Sequence, residues 1–135
     1  SPDGQYVVGG YWDGSIRIWE VEQGQLVGHL IGHDKAVHCV AYSSDGQKLI
    51  SAAGDSDGVD DTVRIWESDN PTQPRQLRGC DDVPSRVVFS PDGSSVAGGT
   101  RERITIWNAS NGVVSSQIEG FENELAQVVF SPDAK

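Results

Sequence analysis

The chain repeats one short phrase four times. Ser-Pro-Asp-Gly or a close variant begins at residues 1, 43, 90 and 131, so successive copies lie 42, 47 and 41 residues apart. A second phrase, an aliphatic residue followed by any residue and then Ile-Trp, keeps this spacing and ends at Trp19, Trp66 and Trp107. Two different motifs on one period indicate a repeat architecture, and a period of roughly 40–45 residues is typical of a four-stranded propeller blade.

The complete middle unit predicts four short strands. β-prone runs at 37–42, 48–53 and 62–66 are separated by turn-forming residues, and a weaker fourth run includes 76–78. Alternate residues within these runs are apolar on both faces, so such a sheet needs neighbours stacked against it. The sequence therefore predicts an all-β fold, an incomplete β-propeller of about three four-stranded antiparallel blades.

The motif positions also predict the blade boundaries. We expect three strands of a first blade at 1–31, complete blades at 32–78 and 79–119, and the first strand of a fourth at 120–135. The smallest typical propeller has about four blades, or on the order of 160 residues at this period, so the ring does not close. Because the chain contains no methionine, we expect a piece of a longer protein. Its partners would then include the remaining blades of the parent chain or another copy of the segment.

The composition narrows the classes of partner. A net charge of −10 argues against binding to a nucleic-acid backbone or to an anionic membrane surface. Acidity could attract basic peptides, or it could simply keep a β-protein soluble. Two cysteines, Cys39 and Cys80, do not make a disulfide framework. Nothing in the sequence resembles a signal peptide or a membrane span, so we predict a cytoplasmic protein that binds other proteins or peptides.

The order glycine-histidine, strand, Ser-Pro-Asp-Gly turn, strand, aspartate turn and Ile-x-Ile-Trp resembles the WD-repeat β-propeller family along almost the whole chain. In that family, a buried network in each blade joins the tryptophan indole to a hydroxyl, a histidine ring and an aspartate. The resemblance implies that Trp66, Ser51, His33 and either Asp60 or Asp61 form this network in the middle unit. A buried indole N–H needs such an acceptor, and a satisfied network fixes strand register.

The flanking units depart from the family pattern. Gly9 and Gly98 stand where the hydroxyl is expected, Cys80 and Phe121 replace the histidine, and Arg101 replaces the aspartate. Only the middle unit can form the full network. We therefore expect the strands of the flanking blades to be held in register less rigidly.

A catalytic interpretation of the same residues is weaker. Ser51, His33 and an aspartate superficially resemble a serine-hydrolase triad, in which histidine takes a proton from an exposed hydroxyl. The chain has no glycine-serine-glycine elbow to expose such a nucleophile. The resemblance places these residues in a structural network instead, and we predict no enzymatic activity.

Two metal hypotheses are also weak. The acidic run at 54–61 suggests calcium, but aligning its central glycine with a calcium-binding loop puts Ala53 and Arg64 at ligand positions. The histidines at 29, 33 and 38 with Cys39 suggest zinc, yet adjacent residues of a strand point to opposite faces. We predict no metal and no cofactor, and keep a calcium-stabilised structural module as an alternative.

A propeller would gather the loops before first strands and between second and third strands on one rim, which members of the resembled family typically use to hold peptides or proteins. Trp12 stands out there because it lies outside the third strands; it either anchors a partner or covers a neighbouring blade. The sequence thus predicts a non-catalytic interaction scaffold, or alternatively a regulatory propeller attached to an enzymatic domain. The candidate partner-binding residues are Tyr11, Trp12, Asp34, Lys35, Asp81, Asp82 and Arg101.

Overall fold

Three antiparallel sheets make up the protein. The computed structural model describes residues 1–55, 62–80, 82, 84–120 and 125–133. Blade 1 contains β1 (Tyr6–Gly10), β2 (Ile16–Glu20) and β3 (Leu26–Leu30). Blade 2 contains β4 (Val37–Tyr42), β5 (Lys48–Ala53), β6 (Thr62–Glu67) and β7 (Asn70–Leu77). Blade 3 contains β8 (Arg86–Phe89), β9 (Ser95–Gly99), β10 (Arg103–Asn108) and β11 (Val114–Glu119). This confirms the predicted all-β class. The described residues contain no helix, and so none that could cross a membrane.

Each sheet is a simple meander in which strands adjacent in sequence are hydrogen-bonded neighbours. Pairing of β5 with β6 runs without a slip from Lys48 opposite Glu67 to Ala53 opposite Thr62. Pairing of the tryptophan-bearing strand (β2, β6 or β10) with the last strand of its blade shifts register beside the tryptophan in all three blades. Because the same irregularity recurs at the same place, the three sheets are structural copies of one unit.

The first three copies of the repeated phrase form the same turn. At the second copy, the Ser43 hydroxyl donates to Asp45 Oδ1 at 2.5 Å, and the same carboxylate oxygen accepts the backbone N–H of Gln47 at 3.0 Å. The Lys48 N–H donates back to Ser43 Oγ at 2.9 Å. Gly46 has φ of 71°, a conformation that disfavours a side chain. Matching bonds are made at the first copy by Ser1, Asp3, Gln5 and Tyr6, and at the third by Ser90, Asp92, Ser94 and Ser95.

Blade 2 is packed on both faces because its strands alternate apolar side chains between the two sides. Leu49, Ala53 and Trp66 lie in a cluster with Ile16 and Leu30 of blade 1. The opposite face carries a second cluster with blade 3, made by Ile50, Ala52, Val63, Ile65 and Leu77 against Val87, Val96, Trp107 and Ala109. Full burial of one such large apolar side chain contributes about 1.5–3 kcal/mol, so face-to-face packing is the main stabilising contact between units.

Glycine brings blade 1 close to blade 2 at one point. A Cβ added at Gly10 would lie 2.5 Å from Val37 Cγ1, so no side chain fits there. The close approach lets the Val37 N–H donate to the Tyr11 carbonyl oxygen at 2.9 Å. Blades 2 and 3 are joined at the other end of the sheets, where the Ser44 hydroxyl donates to the Pro91 carbonyl oxygen at 2.6 Å.

The structure differs from the predicted strands at two places. The fourth strand of blade 2, predicted to include 76–78, covers Asn70–Leu77 and so ends one residue before Arg78. The segment at 125–130, predicted as a strand, pairs with no strand among the described residues. A strand needs a ladder partner, and this segment instead packs its side chains on blade 3, where a Cβ at Gly99 would collide with Leu125.

Candidate functional site

A chain of hydrogen bonds crosses the buried face of blade 2 that packs on blade 1. Trp66 Nε1 donates to Ser51 Oγ at 2.8 Å, and His33 Nε2 shares a 2.7 Å hydrogen bond with the same hydroxyl. Thr62 Oγ1 lies 3.3 Å from His33 Nδ1. The network thus links β5, β6 and the loop before β4. Asp60 and Asp61, either of which the resemblance implies as a member of the same network, lie outside the described residues.

The burial of the Ser51 hydroxyl argues against the serine-hydrolase interpretation. Ser51 is fully buried, and its oxygen already contacts both the indole and the imidazole. A nucleophilic hydroxyl must meet a substrate carbonyl, which this geometry prevents. The trio is therefore arranged as a structural network that ties three elements together.

The indoles of the other two Ile-Trp motifs, Trp19 and Trp107, have different surroundings. Trp107 Nε1 donates to the Arg78 carbonyl oxygen at 2.8 Å, so blade 3 keeps an indole hydrogen bond although Gly98 replaces the serine. In blade 1, the rings of Tyr11 and Trp19 lie 5.9 Å apart, and the Arg17 guanidinium lies 4.3 Å above the tyrosine ring. Tyr11, a predicted binding residue, thus packs within blade 1.

An open cavity of about 870 Å³ lies at the predicted rim. We call it the rim cavity. It brings together loops from all three blades, and five predicted residues are among those that line it. The described lining residues are Trp12, Asp34, Lys35, Ala36, His38, Gly54, Asp55, Asp82, Ser85, Arg86 and Arg101. Tyr11 does not line it, and Asp81 lies outside the described residues.

Trp12 is presented to solvent by a stiff turn. Its side chain is 89% exposed, and its ring lies in a T-shaped arrangement with the ring of His38 at a centroid distance of 6.2 Å. Asp13 accepts the Ser15 N–H at 3.0 Å and the Ser15 hydroxyl at 2.5 Å. These bonds, with the Arg17 guanidinium, hold the pKa of Asp13 below its ordinary value. Gly14 completes the turn with φ of 80°. The exposed indole is therefore held by a defined backbone.

The described lining of the rim cavity is mixed in charge. Lys35 Nζ pairs with Asp55 Oδ2 at 2.5 Å. The other charged lining residues are Asp34, Asp82, Arg86 and Arg101, so acids and bases are balanced among the described residues. The described lining of the rim cavity therefore carries no net excess of acidic side chains. The described residues also contain no cluster of three or more His, Cys, Asp or Glu side chains that could hold a metal, and the acidic run at 56–61 is outside them.

His38 and Arg86 are among the lining residues of the rim cavity that were not predicted as binding residues. His38 lies in β4, and its Nε2 donates to the Gly54 carbonyl oxygen at 2.7 Å, which ties the start of blade 2 to the end of β5. Arg86 begins β8 and donates to the Ser85 carbonyl oxygen at 2.8 Å. Both residues begin or nearly begin first strands, where the loops that the motif spacing identified turn into sheet.

Comparison with known proteins gives a consistent match. A sequence model of the family described as WD domain, G-beta repeat matches residues 1–20 and 24–67. GID complex subunit 7 of Schizosaccharomyces pombe is 44% identical over 70 residues, covering 51% of this chain and 13% of that protein. A periodic tryptophan protein 2 homolog of Neurospora crassa is 33% identical over 97 residues, covering 71% of this chain and 10% of that protein.

A third relative extends the match along the chain. Autophagy-related protein 16 of Arabidopsis thaliana is 31% identical over 112 residues, which cover 76% of this chain. The matched region is 20% of that protein's length. The chain therefore corresponds to only a small part of each of these relatives.

Proposed function

Because the chain belongs to the WD-repeat β-propeller family, we propose that it is a non-catalytic scaffold that holds a peptide or protein segment in the rim cavity, with Trp12 as the main anchor. The observation that carries this proposal is the 89% exposure of Trp12 on a hydrogen-bonded turn at the cavity. A large rigid ring that is exposed in the free protein gains much by burial against a partner.

The charged side chains that line the rim cavity indicate which charges the partner carries. Asp34 and Asp82 favour Lys or Arg on the side of the partner that faces them. Arg86 and Arg101 favour acidic or carbonyl groups elsewhere on the same partner. We therefore propose a partner that carries both signs of charge beside an apolar residue that packs on Trp12.

The relatives support an assembly role. One is named as a subunit of a complex, which is what a scaffold would be. The WD-repeat family is in general non-enzymatic, in line with a hydroxyl in the buried network that no substrate reaches. We place this function in the cytoplasm, and Cys39 and Cys80, neither of which is in a disulfide, are in keeping with a reducing compartment.

A phage-displayed library of random peptides, selected on the purified chain, tests the proposal. Selected peptides are then titrated against the unmodified protein, Trp12→Ala and Val113→Ala. Val113 is the matched control because it is also an exposed apolar residue, 60% accessible, but lies in the β10–β11 turn at the other end of the sheets.

We expect Trp12→Ala to weaken binding about thirtyfold or more, the loss of an interface anchor, and Val113→Ala to leave it unchanged. Both variants should unfold at the same temperature as the parent, since each side chain is exposed. Selected peptides that bind all three proteins equally would refute the rim cavity as the binding site.

A further inference from the structure

A second depression lies on the side of the molecule between blades 1 and 2. It has a volume of about 460 Å³ and shares no lining residue with the rim cavity. We call it the lateral groove. Apolar side chains form most of its wall, and two glutamates lie among them. Its described lining residues are Tyr6, Ile18, Glu20, Val27, Gly28, Leu30, Tyr42, Gly46, Leu49, Trp66, Glu67, Ser68 and Pro71.

The lateral groove exists because a glycine stands where the next repeat has an arginine. Gly28 pairs with Ile18 in blade 1, and Arg75 pairs with Ile65 in blade 2. Both lie nine residues after the tryptophan of their own blade. Gly28 and Arg75 thus occupy the same register position, and each faces the following blade.

Arg75 spans the corresponding space between blades 2 and 3. Its guanidinium donates to the Ala109 carbonyl oxygen at 3.0 Å and also to the Ser110 carbonyl oxygen. It lies 3.8 Å from the Glu67 carboxylate of its own blade. A Cβ at Gly112 would lie 3.5 Å from Arg75 Cδ, so the aliphatic stem packs along that turn. Blade 2 is therefore joined to blade 3 by a guanidinium held between a carboxylate and backbone oxygens.

The lateral groove keeps the equivalents of these acceptors. Glu20 follows Trp19 as Glu67 follows Trp66, and Ser68 lies two residues after its tryptophan, as Ala109 does. Both Glu20 and Ser68 line the lateral groove. The Glu20 carboxylate accepts the N–H groups of Glu22 at 3.1 Å and Gln23 at 2.9 Å. A carboxylate has about four lone-pair sites, so it can accept further bonds.

We propose that the lateral groove binds an arginine side chain of a partner polypeptide, in the position that Arg75 takes between blades 2 and 3. Glu20 and Glu67 supply complementary charge, and backbone at Ser68 supplies the carbonyl acceptor. Ile18, Leu30 and Leu49 provide an apolar wall for the aliphatic stem of the arginine. The partner is an arginine-bearing segment that docks on the side of the blades and leaves the rim cavity open.

Arginine fits better than lysine for a geometric reason. The template Arg75 reaches the Ala109 and Ser110 carbonyl oxygens with one terminal nitrogen, Nη1, while its other terminal nitrogen, Nη2, lies 3.8 Å from the Glu67 carboxylate. A guanidinium presents several N–H donors in a fixed fork, whereas an ammonium is a compact and strongly hydrated point charge. The lateral groove therefore selects the planar set of N–H donors of a guanidinium as well as its positive charge.

The first test titrates the ¹⁵N-labelled chain with the peptide acetyl-Leu-Arg-Leu-amide and follows its amide signals by NMR. The matched probes replace arginine by lysine or by citrulline, which keeps the shape of the side chain and loses its charge. We expect saturable shifts at Gly28, Glu20 and Ser68, with affinity about tenfold lower for citrulline and lower also for lysine. Equal affinity for the citrulline peptide, shifts only at the rim cavity, or no saturable shift would overturn the proposal.

The second test fills the lateral groove from within. Gly28→Arg supplies the arginine in the same chain, and Gly28→Ala is its control. A Cβ at this position lies 3.1 Å from Ile18 Cδ1 in both variants, so the pair isolates the rest of the arginine side chain. We expect Gly28→Arg to lose the arginine-peptide shifts and to melt at a higher temperature than Gly28→Ala, which keeps the shifts. Retained binding in a folded Gly28→Arg would overturn the proposal.

A charge variant completes the set and does not depend on filling the lateral groove. Glu20→Gln removes the charge and keeps one amide oxygen, which can accept one of the two turn N–H groups. We expect its affinity for the arginine peptide to fall several-fold, while Glu22→Gln, an exposed neighbour outside the lateral groove, keeps the parent affinity. Equal affinity in both variants would contradict a role for Glu20.

Discussion

The indole nitrogen of Trp66 lies 2.8 Å from the hydroxyl of Ser51, which is fully buried between blades 1 and 2. His33 reaches the same hydroxyl at 2.7 Å. One oxygen atom therefore serves two buried polar groups that belong to different segments of the chain. Removing this oxygen deprives the Trp66 indole N–H and the His33 imidazole nitrogen of a hydrogen bond inside an apolar layer. This costs more free energy than losing one exposed hydrogen bond.

We expect Ser51→Ala to lower the free energy of unfolding by about 1–3 kcal/mol for each group left unsatisfied. Urea denaturation measures this, with Ser116→Ala, an exposed strand serine, as the control. Adding Trp66→Phe in a double-mutant cycle should show coupling of about 0.5–3 kcal/mol between the two sites. If Ser51→Ala is as neutral as Ser116→Ala, the network does not stabilise the fold.

Restoring a serine at the two glycines that replace it should have opposite outcomes. A Cβ at Gly98 would lie 2.9 Å from the Trp107 ring, whereas a Cβ at Gly9 would lie 3.4 Å from Tyr11 and 3.5 Å from Trp19. We expect Gly98→Ser to destabilise by about 1–3 kcal/mol through overpacking. Gly9→Ser should be neutral or slightly stabilising, since glycine within a strand is itself unfavourable. Thermal melts of the two variants and the parent measure this difference. An equal loss of melting temperature in Gly98→Ser and Gly9→Ser would contradict the prediction.

Acid should weaken the repeated turns. The serine hydroxyl, followed by a backbone N–H, lowers the pKa of Asp3, Asp45 and Asp92 from their ordinary value of 3.8. A carboxylate whose pKa is lower in the folded state contributes stability above the unfolded value, and this contribution is lost as pH falls through the lowered folded pKa. We therefore expect the melting temperature to fall as the pH drops below about 4.

The matched comparison replaces all three carboxylates by asparagine. The triple variant should melt lower than the parent at neutral pH and should show a shallower fall in acid, because these groups no longer titrate. Asp69→Asn, in the exposed β6–β7 turn, is the control and should follow the parent curve. Parallel curves for the parent and the triple variant would show that the turns do not link pH to stability.

The turn that presents Trp12 depends on Gly14. Its φ is 80°, and an added Cβ would collide with the His33 carbonyl oxygen. Gly24 has a similar φ of 65° with nothing within 4 Å of its Cβ. We expect Gly24→Ala to cost about 1 kcal/mol and Gly14→Ala clearly more, because strain and a backbone collision add together. Equal costs in urea denaturation would show that the contact with His33 does not constrain the turn.

Much of the fold follows from the motif spacing. The Ser-Pro-Asp-Gly phrase and the strand runs are local signals, so the order of strands and turns could be derived without coordinates. The position of Trp12 in a rim loop followed from its lying outside the third strands, but its exposure did not, because the sequence left open that it covers a neighbouring blade. These features depend on residues near each other in sequence.

Features that depend on contacts between blades were not predictable in this way. The Trp107 indole bonds the Arg78 carbonyl oxygen, a backbone group that carries no sequence signature. The packing of the segment at 125–130 on blade 3 likewise depends on which faces meet. The contact of Tyr11 with Trp19 lies within blade 1, but it too depends on how the side chains pack. The equivalence of Gly28 and Arg75 is visible in the sequence, but its meaning depends on the carbonyl groups that Arg75 reaches.

Hydrogen–deuterium exchange of the chain with a selected peptide bound tests the central claim most directly, because it shows which face of the blades the partner covers. We expect protection at 11–15, 34–38 and 84–86, which surround Trp12 and the rim cavity, and unchanged exchange in the turns at 44–47 and 91–94 on the opposite end of the sheets. Protection confined to those turns, with none around Trp12, would contradict the claim.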